Sequence, residues 1–300
     1  MDFSKSIFKG FGNLLPLIFS VLPVLLIIGF IILIVFCFIK KVRIKFRTFT
    51  EKGFRPIRGN FGLYVYNGKQ GTGKTYSVVE YLLDNKNNIT VFNNIAEVTG
   101  LDYVHYTGFK ELLYFKEILD YAYSSREDRL KFIKALFPDD RAEHILMLLE
   151  DQENNHKQLI FTYDEIFTEL LKGSKLSKDV IDFLCQMRKR GIIFLTTCQE
   201  WAELPLSFRR FCRYEIDCKM IPVLWTGFLI KTFKDAENMK WSNEDQEHIA
   251  PLVETTITKT RKRVANSYDT FLRISSISAN SSPTSFGEME QTPGKWKSES

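Results

Sequence analysis

Gly68-Lys69-Gln70-Gly71-Thr72-Gly73-Lys74-Thr75 satisfies the pattern G-x-x-x-x-G-K-[ST], and it stands between the apolar run Leu63 to Asn67 and a stretch of helix formers. That context narrows the fold more than any other feature of the chain. A glycine-studded turn lets successive backbone N–H groups converge on an anion without interference from Cβ atoms, and a helix opening at Thr75 adds the positive end of its dipole. In such a loop Lys74 reaches the outer phosphates and Thr75 offers its hydroxyl to Mg²⁺. A loop that only caps a helix needs neither the Lys-Thr pair nor the apolar strand before it.

A phosphate loop serves kinases, switches and motors alike, so a second element has to decide. Residues 159–165 read Leu-Ile-Phe-Thr-Tyr-Asp-Glu, an apolar strand ending in adjacent carboxylates. In phosphoryl chemistry one such carboxylate, here Asp164, holds the Mg²⁺ shell together with Thr75, and its neighbour, Glu165, orients or deprotonates the attacking water. The bland alternative is an acidic cap for a following helix over IFTELLKG. A third element, Met187-Arg188-Lys189-Arg190-Gly191, leads into the apolar run Ile192 to Thr197, which Cys198-Gln199 closes. An amide at the end of a strand beside the acids is placed to sense the γ-phosphate or the water, which makes Gln199 the candidate. As a lone residue it is equally an ordinary loop-end glutamine.

Around these motifs short apolar runs alternate with amphipathic stretches. Strands are expected at Leu63 to Asn67, Ile89 to Asn93, Gln158 to Tyr163, Ile192 to Thr197 and Arg213 to Asp217. Helices are expected at Thr75 to Leu83, Phe109 to Tyr123, Arg126 to Phe137, Arg141 to Glu150 and Ser177 to Lys189. The alternation predicts an α/β fold with a mostly parallel central sheet and helices on both faces; with the phosphate loop, the resemblance set out below implies a P-loop NTPase of the RecA/ASCE-like kind. The run MIPVLWTGFLI is too short to span a bilayer and is expected as a buried strand or a membrane-surface contact. With 45% apolar residues in 300, one core domain is expected over residues 60–274, followed by a Ser-rich disordered tail at 275–300.

Residues 10–39 contain no charged side chain, more than the roughly 20 apolar residues that a spanning helix needs. A transmembrane segment is therefore expected there, after a short tail at 1–9 and before a basic linker at 40–59. Pro16 and Pro23 are expected kink points, with a re-entrant hairpin as the alternative. Lys40, Lys41, Arg43, Lys45 and Arg47 outnumber Lys5 and Lys9 across the segment, which predicts a single-pass protein of the inner membrane with the bulk of the chain cytoplasmic. The net charge of +5 permits a polyanionic partner without demanding one, and five cysteines without a C-x-x-C pair suit a reducing compartment.

A phosphate loop, an apolar strand ending Asp-Glu, and an Arg-x-x-Gly-strand-Thr-x-Gln unit, in that order, resemble the FtsK–HerA class of DNA-pumping ATPases. Within it the chain is most similar to the zonular-occludens-toxin-like assembly ATPases of filamentous phages, on the strength of ITVFNNI (89–95), the Arg188 to Gln199 unit and LPLSFRR (204–210). The resemblance covers roughly residues 60–220. It implies an enzyme that hydrolyses ATP with Mg²⁺, works as a ring, a hexamer by class, and acts on phage or plasmid DNA alongside coat or other assembly proteins. It also implies an arginine supplied in trans near the fourth strand, for which Arg188 and Arg190 are the candidates, with Arg210 behind them. Basic groups expected to meet DNA are Arg188 to Arg190, then Arg209, Arg210 and Arg213, and finally Lys259 and Arg261 to Arg263. The chain departs from the family by placing its apolar segment before the ATPase domain, and by inserting Cys198 between Thr197 and Gln199. Phage assembly and extrusion is thus one reading of the function. A genome-packaging or conjugative coupling ATPase, or a nucleotide-dependent scaffold that moves no DNA, stands beside it.

Overall fold

The computed structural model describes residues 21–36, 39, 42–45, 61–95, 97–137, 140–170, 173, 175–223, 226–242 and 247–268. Its centre is a nine-stranded sheet. Four short strands form the heart of it: β2 (Gly62–Asn67), β3 (Ile89–Asn93), β5 (Gln158–Tyr163) and β6 (Ile193–Cys198), with β4 (Tyr103–His105) at one edge. Strands covered on both faces have no solvated side to supply with polar residues, which is why these read as nearly unbroken apolar runs. On the other flank stand β7 (Cys212–Val223), β8 (Thr226–Asp235), β11 (Leu252–Lys259) and β1 (Val42–Lys45). The spatial order is β1-β11-β8-β7-β2-β6-β5-β3-β4. From β7 to β4 every pairing is parallel, whereas β8 runs antiparallel to both β7 and β11. A separate ribbon pairs β9 (Lys240–Ser242) with β10 (Glu247–Ile249).

Alternation along the strands sends side chains to two cores. Tyr64, Tyr66, Ile160 and Leu195 face α2 (Lys74–Asn85), which presents Val78 and Leu82. Leu63, Val65, Phe161 and Phe194 face the opposite layer, built from α3 (Phe109–Asp120), α4 (Arg126–Leu136), α5 (Arg141–Asn155) and α6 (Lys178–Arg190). There Phe92, Phe115, Phe161 and Phe183 pile ring on ring with centroids 4.2–5.7 Å apart. Among the described residues Phe92, Phe115, Phe137, Phe161, Phe183, Phe194, Phe208 and Phe233 are buried in packing of this kind. Helix α6 shows how its ends are set locally. The Ser177 hydroxyl accepts the Val180 N–H, Arg188, Lys189 and Arg190 sit at the negative end of the dipole, and Gly191 at φ 64 closes the helix in the left-handed region.

The expected strands and helices agree with the structure to within a few residues at most ends, and three differ for physical reasons. The strand expected at Arg213 to Asp217 runs on to Val223, because β8 supplies an antiparallel partner that β2 is too short to provide. MIPVLWTGFLI is accordingly not one strand; Met220 to Val223 belongs to β7 and Thr226 to Ile230 to β8. Among the described residues directly after the paired acids there is a single 3₁₀ turn, Ile166–Thr168, and no regular helix over IFTELLKG.

Residues 21–36 form a helix, α1, whose apolar side chains are exposed. Among the described residues no helix is long and apolar enough to cross a membrane. The rest of the segment expected at 10–39, Ile39 apart, lies outside the described residues, as do the 1–9 tail, most of the 40–59 linker and the 275–300 tail.

Candidate active site

Three strand ends align at one edge of the sheet. Asn67, the last residue of β2, is in register with Cys198 of β6, and Thr196 of β6 is in register with Tyr163, the last residue of β5. Consequently the phosphate loop after Asn67, Gln199 after Cys198, and Asp164-Glu165 after Tyr163 all emerge at the same level. Strand β6 separates the loop from the acids, and two inter-strand spacings set them about 9.5 Å apart laterally. That is room for a metal-bound triphosphate between them.

The loop keeps its shape because two glycines do what other residues cannot. At Gly68, with φ 142, a Cβ would lie 2.7 Å from Thr72 Oγ1 and 2.9 Å from the Cys218 carbonyl. At Gly73, with φ 87, it would lie 2.9 Å from both Leu229 Cδ1 and Met220 Cε. Lys69, Gln70 and Gly71 form the exposed crown, and Thr72 turns inward to donate to the Lys69 carbonyl at 2.7 Å. Lys74 is buried, with Nζ donating to the Gly68 carbonyl at 2.6 Å and the Lys69 carbonyl at 3.1 Å. The two loop carbonyls thus hold a buried ammonium over the turn at the start of α2. The residues therefore fit a phosphate chain, with Thr75 and Asp164 as oxygen donors for Mg²⁺.

The acids are locked to β6 through one side chain. Thr197 Oγ1 donates to Asp164 Oδ1 at 2.5 Å and accepts from the Glu165 backbone N–H at 2.8 Å. Gln199 Nε2 donates to Glu165 Oε1 at 3.2 Å. Glu165 itself adopts φ 49, a left-handed conformation that costs a non-glycine residue about 1 kcal/mol, and its side chain caps no helix. This strain at the site aims the carboxylate back toward β6 instead of into a helix cap. From the other side Asn93 Oδ1 accepts from Thr162 Oγ1 at 2.6 Å, and the Tyr106 hydroxyl donates to the Thr162 carbonyl at 2.6 Å, so the end of β5 is held on both flanks.

Two groups of residues near the site carry no motif. Thr197 was part of an apolar strand pattern, and only its place in the strand register shows its role. Beside the loop, Asn67 donates to Asp217 at 2.9 Å, while Lys234 bridges Glu215 at 3.1 Å and Asp217 at 2.7 Å. Burial pushes the Glu215 carboxyl above its ordinary value despite the nearby Lys234 charge. Burial pulls the Lys234 ammonium down, but hydrogen bonding and charge from Asp217 and Glu215 outweigh it, and its net shift is upward. Past β11 the chain crosses α2 and returns Tyr268 to a bridge with Val98. The Tyr268 hydroxyl is pushed up to about 12 by burial, with the Tyr76 and Asp164 charges adding to it.

The expected arginines lie elsewhere. Arg188 stacks over the Phe61 ring at 5.7 Å and Arg213 over the same ring at 4.7 Å. Phe61 precedes β2, so this cluster is at the edge opposite the phosphate loop. Arg190 pairs with Asp120 and the Leu119 carbonyl at the end of α3. Neither Arg188 nor Arg190 reaches the phosphate loop of its own chain. Arg210 is exposed at the end of α7 (Leu206–Arg209), and Arg209 stacks on Trp201. Arg261, expected to meet DNA, instead pairs with Asp84 at 2.7 Å and Glu80 at 3.6 Å on α2.

A parallel sheet with a phosphate loop after one strand, paired acids after another and a third strand between them defines a P-loop NTPase of the RecA/ASCE-like kind. No family model matches the chain, and no curated protein matches it. Among solved structures it is similar to the N-terminal domain of zonular occludens toxin from Neisseria meningitidis, at 16% identity and TM-score 0.39, over 70% of this chain and 99% of that one. It is also similar to the genome packaging NTPase B204 from Sulfolobus turreted icosahedral virus 2 in complex with ATP-gammaS, at 10% identity and TM-score 0.37, over 68% of this chain and 98% of that one. The flagellar accessory protein FlaH from Methanocaldococcus jannaschii follows at 13% identity and TM-score 0.36, over 68% and 91% of the two chains. At identities and scores this low, the likenesses carry no part of the functional reading.

Proposed function

We propose that this chain is a membrane-anchored ATPase that moves DNA in phage assembly and extrusion. The observation that carries the ATPase part is the Thr197 hydroxyl, which ties Asp164 and Glu165 together one strand away from the Lys74 loop. In this reading Lys74 exchanges its loop carbonyls for the outer phosphates, and the loop N–H groups hold the rest of the chain. Thr75 and Asp164 would hold Mg²⁺, which would supply charge neutralisation at the phosphates. Glu165 accepts the proton of the attacking water, and Gln199 fixes the carboxylate for that transfer. Thr197 holds Asp164 and the Glu165 backbone to β6.

The anchor is supported by the uncharged 10–39 segment and by the exposed apolar side chains of α1. It places the domain on the cytoplasmic side of the inner membrane. Arg188 and Arg190, distant from their own loop, serve a neighbouring copy in a ring, with a hexamer as the assembly. DNA is the cargo, and coat or other assembly proteins are the partners.

The deciding experiment is ATP turnover of the full chain in detergent, with single-stranded DNA, double-stranded DNA, or coat protein added. A rise with DNA supports the motor. If neither form of DNA changes the rate while coat protein raises it, the motor reading fails and an assembly switch takes its place. For the ring, Arg188→Ala mixed into wild type should depress turnover more than in proportion to its fraction; strict proportionality argues against action in trans.

A further inference from the structure

At the edge of the sheet opposite the phosphate loop a cavity of about 580 Å³ opens between the end of α3, the start of α4, the end of α5 and Arg190. Its size is that of a small-ligand pocket. Tyr121 and Tyr123 line it, as do Arg126, Arg129 and the paired Glu150 and Glu153. Phe132 stacks on Tyr121 with centroids 4.3 Å apart and planes 13° from parallel, without lining the cavity itself. Tyr121 is 43% exposed. The ring is backed by Phe132, with Tyr123 tilted beside it at 4.9 Å, and it lines the cavity.

Each guanidinium is held by its own carboxylate. Arg126 donates through Nε and one terminal nitrogen to Glu150 at 2.8 and 3.4 Å, and Arg129 donates through both terminal nitrogens to Glu153 at 2.8 and 3.1 Å. Arg129 also lies 5.1 Å over the Tyr123 ring. Five N–H donors per guanidinium leave an outward edge unused after one such pair, and for Arg126, whose side chain is 62% exposed, that edge faces water. The carboxylates orient the arginines and at the same time supply acceptors. A simple inorganic anion would be repelled by Glu150 and Glu153. A nucleotide suits the mixture: its base stacks on an aromatic face, its amino and hydroxyl groups donate, and its phosphate accepts from arginine.

The geometry points to a nucleotide-binding pocket around Tyr121, Arg126 and Arg129 that takes one residue of a single-stranded nucleic acid. Resting on the reading of DNA as cargo, it names where a strand is gripped, on the edge of the domain remote from ATP. The neighbouring Arg213 over Phe61 extends the same edge with cation-covered aromatic surface.

The test is anisotropy of a fluorescein-labelled oligothymidylate with the full chain in detergent, without ATP, across a salt series. Binding is expected, with Tyr121→Ala weakening it about tenfold and Tyr121→Phe keeping it. Arg126→Gln should weaken it and reduce the slope against log salt by about one. Unchanged affinity in both Tyr121→Ala and Arg126→Gln, at wild-type melting temperatures, overturns the proposal. So does competition by thymidine monophosphate as strong, per nucleotide, as that of the oligomer, which assigns the pocket to free nucleotides. ATP turnover measured on the same preparations separates the two readings. Turnover absent with strand binding intact sinks the ATPase and spares the pocket, and the reverse result sinks only the pocket.

Discussion

Thr197 Oγ1 donates to Asp164 Oδ1 across 2.5 Å, and the same oxygen receives the backbone N–H of Glu165. A single hydroxyl thus fixes both the proposed metal ligand and the residue proposed to bear the general base. Thr197→Val keeps the shape of the side chain and removes both bonds. A hydrogen bond to a charged group is worth about 1.5–3 kcal/mol, so turnover should fall about 10- to 100-fold while ATP affinity changes little. Thr197→Ser should retain most of the activity. Steady-state rates and nucleotide titrations on the three proteins check this, and a valine variant as fast as wild type would remove Thr197 from the mechanism.

Lys74 and Glu165 are predicted to fail differently. Lys74→Ala takes away the ammonium now bound to the Gly68 and Lys69 carbonyls, and should abolish ATP binding. Glu165→Gln keeps size and hydrogen bonding but not basicity, and should bind ATP normally with turnover down about 10²- to 10⁴-fold. Calorimetric binding alongside phosphate release distinguishes them. Equal loss of binding in both would undo the division of roles.

Much of this site was legible in the residues themselves. The loop, the Asp-Glu pair and Gln199 each carry a local pattern whose chemistry follows from residue type, and strands β3 and β5 begin and end where their apolar runs do. What was hidden depends on register. Thr197, Asn67 and Asp217 matter because of which strand lies beside which, and nothing local in a run such as Ile-Ile-Phe-Leu-Thr-Thr marks its last threonine as a clamp. The long β7–β8 hairpin was missed for the same reason: β7 outlasts its apolar signal because β8 satisfies its backbone. Arg261 looked like a DNA contact in a basic stretch and proved to be the partner of Asp84, a pairing across 177 positions.

Gly73 and Gly71 make a matched pair for the loop. Both have positive φ, 87 and 75, so alanine is strained at each by about 1 kcal/mol. Only at Gly73 does the new methyl meet Leu229 and Met220, whereas at Gly71 nothing lies within 4 Å. The Leu229 and Met220 side-chain ends have to move aside, so Gly73→Ala should destabilise by about 2 kcal/mol and Gly71→Ala by about 1 kcal/mol in urea unfolding. Equal losses would mean that the hairpin does not press on the loop.

Glu215 gives a dependence on pH. Burial raises its pKa in the fold, so between the ordinary glutamate range and the raised value the folded chain holds a proton that the unfolded chain has lost. Stability from this group is full below that window and declines as pH rises through it, by at most about 1.4 kcal/mol per unit. Lys234, shifted upward, keeps its contribution until well into the alkaline range. Glu215→Gln should flatten the decline in urea midpoints measured across the acidic window, and an unaltered slope would assign it to other groups.

The last prediction concerns the helix that carries Lys74. On α2, Glu80 pairs with Lys231 of β8 at 3.0 Å, and both side chains are only 1% exposed. Two opposite charges buried together cost much of what they gain, so the pair adds little net stability, but removing either member takes the nearest opposite charge from the other in the core. Glu80→Gln should cost about 3 kcal/mol by taking the carboxylate from the buried Lys231 ammonium. Adding Lys231→Met removes that charge and should restore most of the loss, leaving Arg261 paired with Asp84. Unfolding of the two singles and the double forms a cycle whose coupling should exceed 2 kcal/mol, roughly. Simple additivity would show that α2 is held to β8 by its apolar neighbours alone, and that the buried pair does not join the phosphate loop's helix to the hairpin.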